Sequence, residues 1–308
     1  MPDESQPAMR KSLEAMVPFL VGRHITDYLS LIQACWGFRP CHPSALAGLE
    51  GALLDAYARH QDLPLYRLFS RLGPGLEGRK PRVIETDLTL SVAPPVALFF
   101  HAKAAWKKGF RRLKIKLGKD SAEKNAQRLL AVHQAVPRAE LLADGNQGMN
   151  LSEALRMSEI LKDTAVPLLF LEQPFPKHDL ISMRKFRRKS RIPLLADESV
   201  LAPADARRVL ESGAADGVVI KLAKSGILGA LEIIQITRRL KKKLAISCME
   251  ESKLGLAASV HLACATGVFS WVDLDSVFLL EPSREKGGFH IQGSRLSVAG
   301  IRSGIGIP

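Results

Sequence analysis

The sequence predicts an α/β fold: a parallel (β/α)7β barrel of the TIM type, with a mostly helical module in front of it. Two observations carry that prediction. From Val83 onward, short apolar runs alternate with helical patterns, and eight such runs can be counted. Five of them end in a charged residue at near-equal intervals: Leu113–Lys116, Leu141–Asp144, Leu168–Glu172, Leu194–Asp197 and Val218–Lys221. The steps from Lys116 are 28, 28, 25 and 24 residues. The alternation implies a parallel sheet, eight strands imply closure, and charged strand ends at the C-terminal face of a barrel converge on one site.

The elements follow in order. Helical patterns at Ser12–Val21, Asp27–Cys35 and Ser44–Ala58, with breaks at Pro40 and Pro43, make up most of residues 1–80. Strands are predicted near 83–91, 112–117, 140–145, 167–172, 192–198, 217–222, 244–250 and 271–275. Helices are predicted near 95–108, 122–135, 152–163, 178–189, 203–212, 227–240 and 253–266. Asp120 or Ser121 caps the second of these helices, Asn150 or Ser152 starts the third, and Pro203 suits a first turn. The Gly- and Ser-rich end, 281–308, alternates Phe289, Ile291 and Leu296 and is expected to return to the helical module as a strand or loop. The expected units are therefore 1–80, 81–280 and 281–308.

With 308 residues, 46% of them hydrophobic, the chain can bury a large core. It has no bilayer-length apolar run and no secretory start, so no membrane partner is expected. Cys35, Cys41, Cys248 and Cys264 have no C-x-x-C spacing and fit a reducing cytoplasm. The formal charge of +13 is concentrated in Lys107–Lys119, Arg184–Arg191 and Arg238–Lys243. Only Phe110 and Phe186 lie within them, too few aromatic side chains to stack a run of bases. These stretches read as solvated helix faces, and nucleic acid is not an expected partner.

Asp144, Glu172 and Asp197 end three successive strands. An all-oxygen set with no neighbouring Cys or His points to Mg²⁺ rather than zinc. Lys114 and Lys116 share one face of their strand, and Lys221 ends a strand about half a barrel away. Two lysines on opposite sides of a carbon acid can each remove or return a proton. Burial and a nearby cation would lower a lysine pKa toward the useful range.

The ordered set Lys114-Ile115-Lys116, Asp144-Gly145-Asn146, Glu172-Gln173-Pro174, Asp197-Glu198-Ser199 and Lys221-Leu222-Ala223-Lys224-Ser225-Gly226 resembles the enolase superfamily, in its muconate-lactonizing subgroup, over about residues 45–300. The resemblance implies a capping domain beside the barrel. It makes Asp144, Glu172 and Asp197 the Mg²⁺ ligands, Lys116 and Lys221 the acid/base pair, and Lys114 a holder of the substrate carboxylate. Within the subgroup, Asp273-Leu274-Asp275 resembles the Asp-x-Asp with which dipeptide epimerases bind the substrate's α-ammonium group. Two carboxylates on one face match a cation, whereas a succinyl group would be repelled. Ser247-Cys248-Met249-Glu250-Glu251-Ser252 resembles the family's seventh-strand motif and brings in Cys248 and Glu250 as substrate contacts. Thr89 occupies the place of a substrate-contacting Thr.

The chain departs from the family pattern at three points. The family's three-stranded start, with its substrate-closing loop, has no counterpart before Leu13. A genuine loss and a misplaced start both remain open. The cap is expected to be truncated and activity low, because a wet site weakens every electrostatic term. Position 250 carries Glu, which either faces the pocket, favouring a cationic second side chain, or turns to solvent and Lys253. Ile227 replaces a family Gly, with no function assigned. The expected function is Mg²⁺-dependent inversion of the α-carbon of a dipeptide's C-terminal residue. The alternatives are an o-succinylbenzoate synthase or N-succinylamino acid racemase, or an impaired barrel that only binds ligands. A homo-oligomer is compatible with the sequence.

Overall fold

The computed structural model describes residues 4–38, 42–73, 81–281 and 286–307. Pro40 and Cys41 lie outside them, as do 282–285 and 308 of the C-terminal segment. The chain opens with four helices: α1 (Gln6–Leu20), α2 (Tyr28–Gly37), α3 (Pro43–His60) and α4 (Leu65–Leu72). The first begins earlier than the apolar pattern suggested, because the Ser5 hydroxyl caps it by accepting from the amide of Ala8. The fourth was not predicted, although Leu65, Leu68 and Phe69 form its buried stripe and Arg67 and Arg71 its outer face.

The predicted first strand, 83–91, is two strands in two sheets. β1 (Val83–Glu85) pairs with a C-terminal hairpin, β10 (His290–Gln292) and β11 (Arg295–Ser297), in the order β1-β11-β10. β2 (Leu88–Leu90) opens the barrel. The break falls at Thr86-Asp87, where the amide of Thr86 donates to the carbonyl of Ser294 in the turn of that hairpin and that of Asp87 donates to the carbonyl of Val272 in the barrel.

The barrel continues with β3 (Arg112–Lys116), β4 (Glu140–Asp144), β5 (Leu168–Glu172), β6 (Leu194–Ala196), β7 (Gly217–Ile220), β8 (Lys243–Ser247) and β9 (Trp271–Asp273). All are parallel and in sequential order from β2 to β9. The bond from Asp87 to Val272 links the first barrel strand to the eighth. The stretch 107–119, counted above among basic helical faces, is mostly β3 and its turns.

Seven longer helices alternate with these strands: α5 (Pro95–Lys107), α6 (Ala122–Ala135), α7 (Leu151–Asp163), α8 (Leu180–Lys189), α9 (Pro203–Glu211), α10 (Leu222–Arg239) and α11 (Lys253–Thr266). Ser121 caps α6, Asn150 and Glu153 form a capping box on α7, and Pro203 sits in the first turn of α9. A short helix, α12 (Ser276–Leu279), follows the last barrel strand. α3 packs on α10, α4 on α11, and the C-terminus returns to the helices, with Gly304 bonded to Leu63 and Leu65.

The barrel lumen explains where the charged residues go. Leu142, Phe170, Leu195, Val219, Ala245 and Trp271 form one buried apolar cluster, a residue from each of six strands. Two positions further on come Asp144, Glu172, Asp197, Lys221, Ser247 and Asp273. Because side chains alternate across a strand, the same inner face that is apolar in one layer becomes polar in the next. The apolar layer is the floor on which the polar layer stands.

Candidate active site

The strand register aligns the polar layer. Lys116 pairs with Asp144, and Asp144 with Glu172, across β3, β4 and β5. Asp144, Glu172 and Asp197 are each no more than 2% exposed. The Lys114 ammonium gathers three carboxylates, at 3.2 Å from Asp144 Oδ2, 2.8 Å from Glu172 Oε2 and 2.8 Å from Asp273 Oδ2. Lys116 Nζ lies 2.7 Å from Asp144 Oδ2 and 2.9 Å from Asn146 Oδ1. Lys221 Nζ lies 2.6 Å from Asp197 Oδ2.

β3 and β7 are four places apart in an eight-stranded order, so Lys116, at the end of β3, and Lys221, which directly follows β7, stand on opposite sides of the lumen. One signal separates them further: 30% of the Lys116 side chain is exposed but only 10% of that of Lys221.

The electrostatics run against one sequence expectation. Burial pulls the Lys114 and Lys221 ammoniums down, but the carboxylates around them outweigh it and both are raised above the ordinary lysine value. Lys224 is the exception, buried deeply enough that its pKa falls. Glu172 is pushed up to about 8, by burial first and then by the neighbouring charges of Asp144 and Asp197. Its Oε1 is buried and has no hydrogen-bond partner among the described residues. Asp144, Glu172 and Asp197 form an all-oxygen donor set with one orphaned buried oxygen, the chemistry of a hard divalent cation such as Mg²⁺, and the three carboxylates do not close to within 4.8 Å of one another.

Asp273 and Asp275 are buried together, and the sequence reading missed a third member of their group, Asp87. One carboxylate oxygen from each of Asp87, Asp273 and Asp275 lies within 4.8 Å of the others. Burial, followed by the charges of Asp273 and Asp275, raises Asp87 well above the carboxylate range, and Asp275 is pushed up to about 6 by burial and Asp273. Asp87 escaped notice because it sits at the break between β1 and β2, inside what reads as one strand.

Thr89 joins this corner. Its amide donates to Asp275 Oδ2 at 2.6 Å, and its hydroxyl lies 3.5 Å from Asp273 Oδ1. Cys248 is half-buried, its thiol pushed up by burial and by Asp273. Glu250 is exposed, and the inward acid of this segment is its neighbour. Glu251 Oε1 accepts from the amide of Met249 at 2.9 Å, and burial raises its pKa against the opposing pull of Lys221. No sequence signal distinguished the two glutamates, since the turn after β8 breaks the strand alternation.

The fold and this layer define a class: an α/β barrel carrying carboxylates and lysines at the C-terminal ends of its strands. A family model described as enolase C-terminal domain-like matches residues 99–308, and the chain belongs to that family. Among curated relatives, the aromatic dipeptide epimerase of Herpetosiphon aurantiacus is 31% identical over 298 residues, which cover 97% of this chain and 82% of the relative. Among solved structures, a substrate-liganded complex of the L-Ala-D/L-Glu epimerase from Bacillus subtilis superposes with a TM-score of 0.93 at 31% identity, covering 99% of this chain and 83% of that one. A dipeptide epimerase from Enterococcus faecalis complexed with Mg and the dipeptide L-Leu-L-Tyr has a TM-score of 0.90 at 28% identity, covering 99% and 84%. Among the described residues, no helix is long and apolar enough to cross a membrane.

Proposed function

We propose that this chain is a dipeptide epimerase that inverts the α-carbon of the C-terminal residue by 1,1-proton transfer. The observation that carries the reading is the placement of Lys116 and Lys221 on opposite sides of one carboxylate-lined lumen. One lysine takes the α-proton from one face as a neutral amine, and the other, as an ammonium, returns a proton to the opposite face. The reverse direction exchanges their roles.

Asp144, Glu172 and Asp197 would hold Mg²⁺, which supplies positive charge beside the substrate carboxylate and so stabilises the negative charge left when the proton departs. Lys114 would help hold that carboxylate. Asp273 and Asp275, with Asp87 behind them, would receive the α-ammonium group of the N-terminal residue. Thr89 orients that corner through its bond to Asp275. Cys248 would line the wall beside it, and Glu250 the outer rim, toward the second side chain. In this reading residues 1–80 cap the site, 81–280 form the catalytic barrel and 281–308 tie the two together.

The reading is tested by incubating the protein with a library of L,L-dipeptides and Mg²⁺ in D₂O. A mass gain of one deuterium at the C-terminal α-carbon, with inversion, is the expected result. Exchange of N-succinylamino acids with no exchange of free-amino dipeptides would move the assignment to an N-succinylamino acid racemase. Loss of water from a cyclohexadiene substrate would move it to o-succinylbenzoate synthesis. No exchange in either set would leave a ligand-binding barrel.

A further inference from the structure

The motif Lys221-Leu222-Ala223-Lys224 contains two lysines, and the structure separates their tasks. Lys224 Nζ lies 2.6 Å from Asp197 Oδ1, 2.7 Å from the backbone oxygen of Asp197 and 3.2 Å from that of Val219. An ammonium has three N–H groups, and here each has an acceptor. Its side chain is 7% exposed, so no solvent competes for them. Lys221 reaches the other oxygen of the same carboxylate, Oδ2, at 2.6 Å, and among the described residues its ammonium makes no other hydrogen bond. From the opposite side, Gln173 Oε1 accepts from the Asp197 amide at 2.9 Å. Asp197 is thus fixed at its amide, its carbonyl and Oδ1, and Oδ2 is the atom left to the pocket.

We propose that Lys224 is a positioning residue: it locks the Asp197 carboxylate in one rotamer, with Oδ1 consumed and Oδ2 presented to the site. A lysine with all three protons engaged and buried is not a proton carrier. Lys221, with one bond, keeps two N–H groups for chemistry. The motif therefore supplies a fixed cation and a working one, with the fixed cation offsetting one carboxylate of a crowded acidic site. Gln173, just past β5, and Lys224, in the first turn of α10 after β7, hold Asp197 from either side. Its orientation survives when Lys221 moves to a substrate.

This inference rests on the Mg²⁺ site proposed above, so its test separates the two. Full-length wild type, Lys221→Met, Lys224→Met and Lys224→Arg are compared by Mg²⁺ titration calorimetry, by thermal unfolding and in crystals. Lys221→Met is expected to lose epimerisation but to bind Mg²⁺ within about threefold of wild type. Lys224→Met is expected to weaken Mg²⁺ binding by about 10–100-fold, the usual effect of removing the group that orients a ligand. Lys224→Arg keeps the charge, but its planar fork cannot meet the same three acceptors, so about a tenfold loss is expected. Should Lys224→Met fail to fold, Lys224→Arg decides: wild-type Mg²⁺ affinity in either folded Lys224 variant overturns the inference. Should the wild type not bind Mg²⁺, the metal reading fails and the crystals decide. Asp197 rotated from its wild-type position in Lys224→Arg supports the lock, and Asp197 unmoved overturns it.

Discussion

The two flanks of the lumen hold their lysines by different means. On the β3 flank, Lys116 is 30% exposed and bonded to Asp144 and Asn146. The loop that follows it is fastened by Asn125, which donates to the Gly118 carbonyl at 3.1 Å, accepts from its amide at 3.2 Å and accepts from Arg128 at 2.7 Å. Everything in that support belongs to the barrel.

On the β7 flank, Lys221 is 10% exposed, and the support crosses to the N-terminal helices. Glu50 of α3 accepts from the amides of Ile227 and Leu228, at 3.0 and 2.7 Å, and from the Trp36 indole at 2.8 Å. It caps the main stretch of α10 just past a kink at Gly226, whose φ of +66° favours glycine and whose Cα faces the Glu50 carboxylate and the Trp36 ring. The Ile227 that stood out against the family pattern contributes its backbone amide to this contact and buries its side chain. One proposed base is thus positioned by the barrel alone, the other by the barrel and the helices together.

The largest effect should come from the two proposed bases. Lys221→Ala and Lys116→Ala should each lower the kcat for epimerisation by about 10³-fold or more, the upper range for a positioned acid or base, measured by polarimetry. Wild-type kcat in either variant would break the opposition of the two flanks.

Glu50→Ala should come next. It removes the acceptor of the Ile227 and Leu228 amides at a largely buried seam, so unfolding free energy should drop by about 3 kcal/mol in a urea titration. Proton exchange on the Lys221 face should slow more than on the Lys116 face. An equal change on both faces would erase the proposed difference.

Acid should act away from both flanks. His261 is fully buried between α4 and the C-terminal segment. Its Nδ1 accepts from the Tyr66 amide at 3.1 Å, and Nε2 donates to the Gly288 carbonyl at 3.0 Å. Burial holds its pKa down to about 4 against an ordinary 6.5. The unfolded chain therefore binds a proton that the folded one refuses between those values. This contribution is complete above pH 6.5 and declines as pH falls toward 4, by about 3 kcal/mol in all. His261→Gln should flatten that part of the stability profile. The smallest effect is Asn125→Ala, about 2 kcal/mol of stability by thermal unfolding, with exchange on the Lys221 face unaltered.

The barrel and the charged ring were legible because a two-residue pleat and a βα repeat leave periodic marks. Asp144, Glu172, Asp197 and Lys221 announce themselves as the charges that end apolar runs. Groups that act across sequence distance left no such mark. Glu50 lies in an ordinary amphipathic helix, and its partners are 177 and 178 residues away. Asp87 is hidden where one apparent strand divides between two sheets. Lys224 sits in a motif in which the first lysine draws the attention. Neighbouring charge also reversed an electrostatic expectation: burial pulls Lys114 and Lys221 down in pKa, as expected, but the carboxylates packed against them outweigh it and raise both, whereas Lys224 falls.

The central claim is that Lys116 and Lys221 serve opposite faces of one carbon, and stereospecific α-proton exchange tests it most directly. Each epimer of an accepted dipeptide is incubated in D₂O with Lys116→Ala and with Lys221→Ala, and loss of the α-proton signal is followed by NMR. The account predicts that each variant exchanges one epimer without inverting it, and that the epimer differs between the two variants. Exchange of the same epimer by both variants, or inversion by either at the wild-type rate, would contradict it.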